Sequence, residues 1–471
     1  MNDLIPVLSV LVPLAGACAL PFIGKRSPGL RNGLALALVA AAFALSLAAL
    51  PAALSGNPLS TRVELPLGLS FGFTGDALAV FMALASSLVA AVIVVYSFGY
   101  IREYDNQNEY YMMVVLFIGA MMGLVYTTNL IFIYMFWEIS SVCCWRLIGF
   151  YREELTIVRA NKAFYITVTG ALIMLAGFIG IWAETGTFEL LAMKGATIPA
   201  WTVVLILFGI LSKSATFPLH SWLPDAGVAP SPVTSLLHAA VLVKIGVFVY
   251  VRLFVKTFQI PDSFTLIVPI IAAVSALVSA GAALRATDIK RVVAYSTISQ
   301  LAFILLGLSC GTKAGLVGGL LYILAHSVAK GGLFLCAGIV EHNVHTKDIT
   351  KMGGLAKRFP LTAFAFALCA FSVMGIPPFS GFFAKYLVID GILQAGHPVL
   401  AAVFILGAVM TVMYLARVFA KVFLGPETFP GKKEGDKTMV ASVVFLGLLA
   451  LALGFAINLP GSLAALVWEA M

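Results

Sequence analysis

Four lysines, Lys213, Lys244, Lys330 and Lys385, fall inside long apolar stretches of a 471-residue chain. A lysine at the centre of a lipid bilayer costs roughly 2.5–3.5 kcal/mol on the lenient insertion scale, so four unpaired ones would cost on the order of 10–14 kcal/mol. That is comparable to the whole net stability of a typical fold. A chain that keeps them must hydrate, pair or neutralise them, and each solution describes a path for protons or ions. Lys213 sits in ILFGILSKSATFPLH and Lys244 in HAAVLVKIGVFVYVR, both too deep for the ammonium to reach the interface along its stem. Burial disfavours the charged form of a lysine and a neighbouring carboxylate restores it. A carboxylate that moves or is neutralised therefore controls whether the lysine holds its proton.

Glu138, in the apolar span FIYMFWEISSVCCWRLIGFY, is the acid suited to that control. A plainer reading pairs it with Arg146, two turns on. His326 and Lys330 stand four apart in LAHSVAKGGLFLCAG and so share a helix face, where a histidine beside a lysine forms a relay step. His220 and His238 are further relay candidates, with packing as the competing reading. His342 and His345 have metal-like spacing but fall at a helix end expected on the cytoplasmic side, where they read as solvated loop residues. Tyr96, Tyr100 and Trp137 read as interface anchors or packing. Neither a dinucleotide fingerprint nor a phosphate loop occurs in the sequence.

The elements that must position these groups are membrane helices. Hydrophobic residues make up 61% of the chain and charged ones 11%, against about 25% in a soluble domain; the mean hydropathy is +1.04. Apolar runs of spanning length recur from Leu4–Ile23 to Val440–Ile457 and predict about 14 transmembrane helices, with no soluble domain. The longest polar stretch, GPETFPGKKEGDK, is a loop. The opening MNDLIPVL lacks a basic region and a cleavage site, so the first span is expected to be retained. The formal charge of +8 is no nucleic-acid footprint, because its location is uneven. Alternate loops hold most of the Lys and Arg, from Lys25, Arg26 and Arg31 to Lys432, Lys433 and Lys437. The opposite loops hold only Arg62, Lys194, Arg252, Lys256 and Lys313. The positive-inside rule makes the first set cytoplasmic and puts both termini outside. Six cysteines, none in CxxC, lie in apolar runs and read as small core residues rather than metal ligands.

Two of the helices are interrupted. FPLHSWLPDA carries Pro218 and Pro224, and GIPPFSG carries Pro377 and Pro378. Proline removes a backbone donor and clashes with the preceding turn, and unwound backbone at membrane depth survives only inside protein or against a wet cavity. A pair of broken helices in two halves is the mark of inverted repeats with a conduction site between them. Lys213 precedes Phe217 by four residues, and Lys385 follows Gly381 by four.

These residues resemble the antiporter-like membrane subunits shared by respiratory complex I, membrane-bound nickel–iron hydrogenases, formate hydrogenlyase-type complexes and Mrp cation/proton antiporters. The resemblance spans nearly the whole chain and is strongest in WEISS, KSATFPLHSWLPDA, SPVTSLLHAAVLVKIGVFVYVR, AHSVAKGGLFLCAG and GIPPFSGFFAK. It implies an all-α fold of about 14 transmembrane helices with two inverted five-helix repeats, broken at helices seven and twelve. Residues 1–110 would hold helices 1–3, residues 111–255 and 264–424 the repeats, and residues 438–471 the last helix. It implies too that Glu138 on helix five pairs with Lys213 on helix seven. Lys244 on helix eight, His326 and Lys330 on helix eleven and Lys385 on helix twelve would complete the proton path. A sequence that stops about a dozen residues after its last span is expected among the shorter internal subunits or the hydrogenase and Mrp D-type relatives.

The expectation is a proton-translocating subunit of a redox-driven energy-converting complex, without cofactor or metal of its own. Its partners would be other antiporter-like and small membrane subunits, and peripheral redox subunits with iron–sulfur and flavin or nickel–iron centres. The alternative is a subunit of an Mrp-type sodium/proton exchanger. Sodium favours oxygen ligands, and beyond Glu138 only Asp76 and Asp390 are candidate acids inside the membrane, which favours protons within this subunit. A self-sufficient solute carrier lacks an obvious substrate pocket.

Overall fold

The computed structural model describes residues 2–64 and 70–471. With no water in the bilayer core to satisfy backbone N–H and C=O groups, a chain this apolar resolves into helices that satisfy their own. In order they are α1 (Ile5–Arg26), α2 (Pro28–Leu54), α3 (Ala77–Tyr100), α4 (Gln107–Tyr126), α5 (Leu130–Ile148) and α6 (Glu154–Thr185). Then come α7 (Ala200–Lys213), the single turn α8 (Trp222–Asp225), α9 (Ser231–Ser235) and α10 (Leu242–Tyr250). The rest are α11 (Phe264–Arg285), α12 (Ile289–Ser309), α13 (Lys313–Val344), α14 (Pro360–Met374), α15 (Ser380–Gln394), α16 (Pro398–Phe423), α17 (Lys437–Phe455) and α18 (Asn458–Glu469). Side-chain N-caps on Ser27, Asp76, Asn129, Asp288, Thr312 and Asp436 fix where α2, α3, α5, α12, α13 and α17 begin.

Twelve segments among the described residues are long and apolar enough to cross a membrane. Two of the about 14 expected spans, those that run into the proline breaks, are instead the shorter apolar helices α7 and α14. Between α2 and α3 lies an antiparallel hairpin, β1 (Leu59–Glu64) with β2 (Ser70–Gly75), which the hydropathy pattern does not announce. It is pinned by the buried Glu189 carboxylate, which accepts from Ser70, from Thr128 Oγ1 at 3.2 Å and from Asn129 Nδ2 at 2.7 Å. Cys18, expected in the core, is exposed on α1; the other five cysteines are buried.

The charged loops sort onto two faces. On one, Glu109 joins Arg146 and Arg152, Asp225 joins Lys162 and Arg291, and Glu341 joins Lys290 and Lys347. On the other, Asp76 joins Arg252 and Lys256, Lys313 joins Glu469, Lys194 reaches the Ala470 carbonyl and Thr61 the Asp3 carbonyl. These are the same two groups of loops that the charge count separates, so residues 3 and 470 share the face that is poor in Lys and Arg.

Both breaks are built by close approach. After α7, Ala215 takes a left-handed φ of 51° and Trp222 folds back so that Nε1 donates to the Ser212 carbonyl at 3.0 Å. Gly246 of α10 lies against this turn, where a Cβ would stand 2.7 Å from the Ile210 carbonyl oxygen. After α14, Gly375 adopts φ of 83°, and Gly381 opens α15 so near the Ser372 carbonyl that any side chain would collide with it. The peptide bonds before Pro218 and Pro378 are cis. Through the middle runs α13, 32 residues long and almost wholly buried, packed on α12, α14, α15, α17 and α3.

Candidate functional site

Lys213 is the last residue of α7, and its side chain crosses to α5 rather than to solvent. Nζ donates to Ser141 Oγ at 2.7 Å and to the Trp137 carbonyl at 3.2 Å, and lies 5.3 Å from the Trp137 ring centroid. The WEISS segment thus supplies its cage. Glu138 is not in that cage: it occupies the outer flank of α5, half-buried beside exposed Met135 and Val142, and its Oε1 has no partner among the described residues. The expected Glu138–Lys213 ion pair is therefore not in contact. Arg146, the other partner considered for Glu138, is taken by Glu109.

Lys244 owes its position to an irregular helix. Residues Leu236–Ala240 form a π turn and Val241 leaves helical geometry (φ −127°, ψ −72°), which frees the His238 carbonyl to accept from Lys244 Nζ at 3.0 Å. The same ammonium stands 2.8 Å from His326 Nδ1 on α13. This contact joins the stretch that contains α7 to the one that contains α14. His238 itself has no hydrogen-bond partner on either ring nitrogen among the described residues and lies beside Phe334, ring centroids 4.5 Å apart and planes tilted by 48°. His220 lies half-buried in the first break beside Phe217, its Nδ1 also unpartnered.

One turn along α13, His326 and Lys330 diverge. Lys330 reaches away to α12, donating to Ser296 Oγ and to the Val293 carbonyl at 3.4 Å. Ser296 meets the Tyr414 hydroxyl at 2.7 Å, and Gln300 Nε2 donates to Thr411 Oγ1 at 3.2 Å and to Tyr414 at 3.4 Å. Tyr322, one turn before His326, donates to Gln300 Oε1. Tyr322, His326 and Gln300 adjoin Ser372, Val373 and Gly381 of the second break, with no room for a water between them. Beyond them, Lys385 Nζ donates to the Val373 and Met374 carbonyls at 2.7 and 3.1 Å. These are open carbonyls of the α14 C-terminus, where the helix dipole favours a cation. Each break therefore sets a helix C-terminus beside a lysine: Lys213 on its own helix, Lys385 across the gap.

All four lysines, His238 and His326 are buried to 5% exposure or less. Their spacing along the chain was readable; the hydroxyls and amide that connect them (Ser141, Ser296, Gln300, Tyr322, Tyr414) were not, since single Ser and Tyr residues in apolar helices are common. Asp76 and Asp390 prove not to lie in the axis. Asp76 caps α3 at the lysine-poor face, and Asp390 binds Gln394 at 2.8 Å in the last turns of α15. Burial opposes ionisation of Asp76, but Arg252 and Lys256 beside it hold its carboxyl far below the usual range. His342 packs on Tyr100 and His345 caps α13 with φ of 57°; among the described residues no cluster of His, Cys, Asp or Glu could hold a metal.

Two curated relatives are the A1 subunit of a Na(+)/H(+) antiporter of Staphylococcus epidermidis, 30% identical over 95% of this chain, and a Na(+)/H(+) antiporter subunit of Bacillus subtilis, 32% identical over 96%. The chain spans about 60% of the length of these relatives. Among solved structures, a chain of the Mrp complex from Dietzia sp. DQ12-45-1b superposes with a TM-score of 0.91 at 23% identity, covering 99% of this chain and 97% of that one. A chain of respiratory complex I from Thermus thermophilus superposes with 0.87 at 25% identity, over 98% of each. Residues 65–111 match the family described as NADH-ubiquinone oxidoreductase (complex I), chain 5 N-terminus. Residues 127–411, which hold every lysine and histidine of the axis, match the NADH:quinone oxidoreductase/Mrp antiporter transmembrane family, and this multi-pass membrane protein belongs to it.

Proposed function

We propose that the chain is the proton-carrying, antiporter-like subunit of a multisubunit Na⁺/H⁺ antiporter of the Mrp kind. The observation that carries the reading is the 2.8 Å approach of Lys244 to His326, which makes one buried row of bases out of two halves. Protons would arrive from the Lys- and Arg-rich face, taken as cytoplasmic, and reach Lys244. They would move through Lys213 or through His326 and Lys330, and leave beside Lys385 on the face that carries residues 3 and 470. Glu138 would act on Lys213 from the flank, as a charge rather than as a direct partner. The membrane would be a prokaryotic cytoplasmic membrane with both termini outside. No cofactor is assigned to this subunit, and sodium exchange is assigned to the assembly, with other antiporter-like and small membrane subunits as partners. The names of the curated relatives favour this exchanger over the redox-driven complex expected from the sequence.

The redox complex remains as a second reading because of the likeness to a complex I chain over 98% of both. In it, peripheral subunits with iron–sulfur and flavin or nickel–iron centres would drive the same axis. Purifying the intact complex and identifying its subunits by mass spectrometry separates the two. The exchanger reading expects only membrane subunits, and Na⁺-dependent proton movement in everted vesicles that Lys244→Ala abolishes at unchanged assembly. Co-purified flavin or nickel–iron subunits would overturn it, as would full exchange by the variant.

A further inference from the structure

An apolar groove of about 350 Å³ runs between α2, α3 and α13 under α17 and α18. Its wall on α2 extends from Phe43 to Leu54, about 16 Å at 1.5 Å per residue. That is half the ~30 Å hydrocarbon thickness of a bilayer, the depth of one leaflet. The wall offers no polar atom in need of a partner, since its one hydroxyl, Ser462, donates to the Leu459 carbonyl at 2.8 Å. A protein helix with side chains is 10–12 Å across and needs several times this volume over the same length.

A second cavity adjoins the groove along α2 and α18. Leu54 of α2 and Leu463 of α18 line the groove; Ala53 of α2 and Leu466, one turn on in α18, line a cavity of about 460 Å³ on the face that carries residues 3 and 470. This cavity is basic. Lys194, Arg252 and Lys256 line it against the acids Asp76 and Glu469, and Glu469 is already paired with Lys313 at 2.9 Å. Arg252 and Lys256 are both held by Asp76, at 2.6 and 2.9 Å, whereas Lys194 has, among the described residues, only the Ala470 carbonyl as partner.

We infer that the paired cavities hold one anionic phospholipid of that leaflet. One acyl chain fills the groove, and the phosphate meets the Lys194 ammonium at the mouth of the second cavity. The floor of the groove is Leu324, two residues from His326, so the lipid packs against the helix that carries the proton axis. The test reconstitutes the intact complex with phosphatidylglycerol that carries a photoactivatable diazirine in one acyl chain, and maps the labelled residues by mass spectrometry. Labelling at Leu84 and Leu324 is expected at least fivefold above that at Val409, a lipid-exposed residue of α16. Excess phosphatidylglycerol should compete and phosphatidylethanolamine should not. Lys194→Gln, which removes one exposed charge, should lower labelling severalfold, and Leu84→Trp, which fills the groove, should abolish it at Leu324. Labelling no higher than at Val409, equal competition by the zwitterionic lipid, or a partner subunit cross-linked in place of lipid would each overturn the proposal.

Discussion

At the scale of single residues, the axis works by giving each buried base a few donors and acceptors and no permanent counter-charge. Lys213 rests on a hydroxyl and a carbonyl, Lys385 on two carbonyls, and Lys244 on a carbonyl and an imidazole nitrogen. None of the four has a carboxylate within ion-pair distance among the described residues, so none is locked as a permanent cation. Lys244→Ala and His326→Ala should each reduce transport by more than tenfold, and the double variant should be no slower than either single, because the two bases act through one contact. Additive losses in vesicle transport assays would show that they belong to separate routes. At the other end, Lys385→Met keeps volume and should block release, Lys385→Glu should retain partial transport, and the non-titrating Lys385→Gln should not. If Gln matches Glu, the site needs polarity alone. The sequence made these lysines legible because a charge in an apolar span is costly wherever it points. It could not show where Glu138 points. On a helix, residues 137 and 141 share a face and residue 138 lies about 100° round from it, and only packing shows that it is the 137/141 face that meets Lys213.

At the scale of elements, the two breaks and the π turn do the positioning. Glycine, not proline alone, makes them possible, since the second strand of backbone must approach within contact of the first. Gly246→Leu should drive α10 off the Ile210 carbonyl and lower the yield of assembled protein, whereas Gly33→Leu on α2, where a Cβ meets nothing within 4 Å, should not. Equal yields would mean that the close approach is dispensable. The other structural fixture is Asp76, which caps α3 and pairs with Arg252 at 2.6 Å and Lys256 at 2.9 Å. Asp76→Asn leaves two largely buried cations unpaired, a loss on the order of 3–5 kcal/mol. Because the Asp76 carboxyl is held far below its ordinary value, its contribution is complete above about pH 5. It fades only as the pH falls below the unfolded carboxylate value of about 3.9. Thermal unfolding of both proteins should therefore show a constant gap from pH 8 to about 5 that narrows in stronger acid; a gap that narrows near neutrality contradicts the assignment. The spans and proline breaks were legible because hydropathy and proline act locally. The β1–β2 hairpin and the π turn at Leu236–Ala240 were not, because both depend on long-range partners: Glu189 for the first, α13 and α3 for the second.

At the scale of the whole molecule, the direction of the proton path rests on which face is cytoplasmic. The structure sorts the charged loops into two sets that never mix, with Asp225, Glu109 and Glu341 gathering cations on one face and Asp76 and Glu469 on the other. Lysine and arginine concentrate on the first, and the loop from Gly425 to Lys437 belongs to it, since Glu427 pairs with Arg358 and Glu434 accepts from the Thr362 backbone. The positive-inside rule predicts that this loop is cytoplasmic. Lys433 is exposed there and Lys313 is exposed on the opposite face, so a cysteine at each reports one side. The background must lack Cys18, the one exposed native thiol. In that background Lys433→Cys should react with a membrane-impermeant thiol reagent only in everted vesicles, and Lys313→Cys only in intact cells. The reverse pattern would place Lys385 on the inward side of the axis and Asp225 outside, and would make the lysine at the second break the entry for protons rather than their exit.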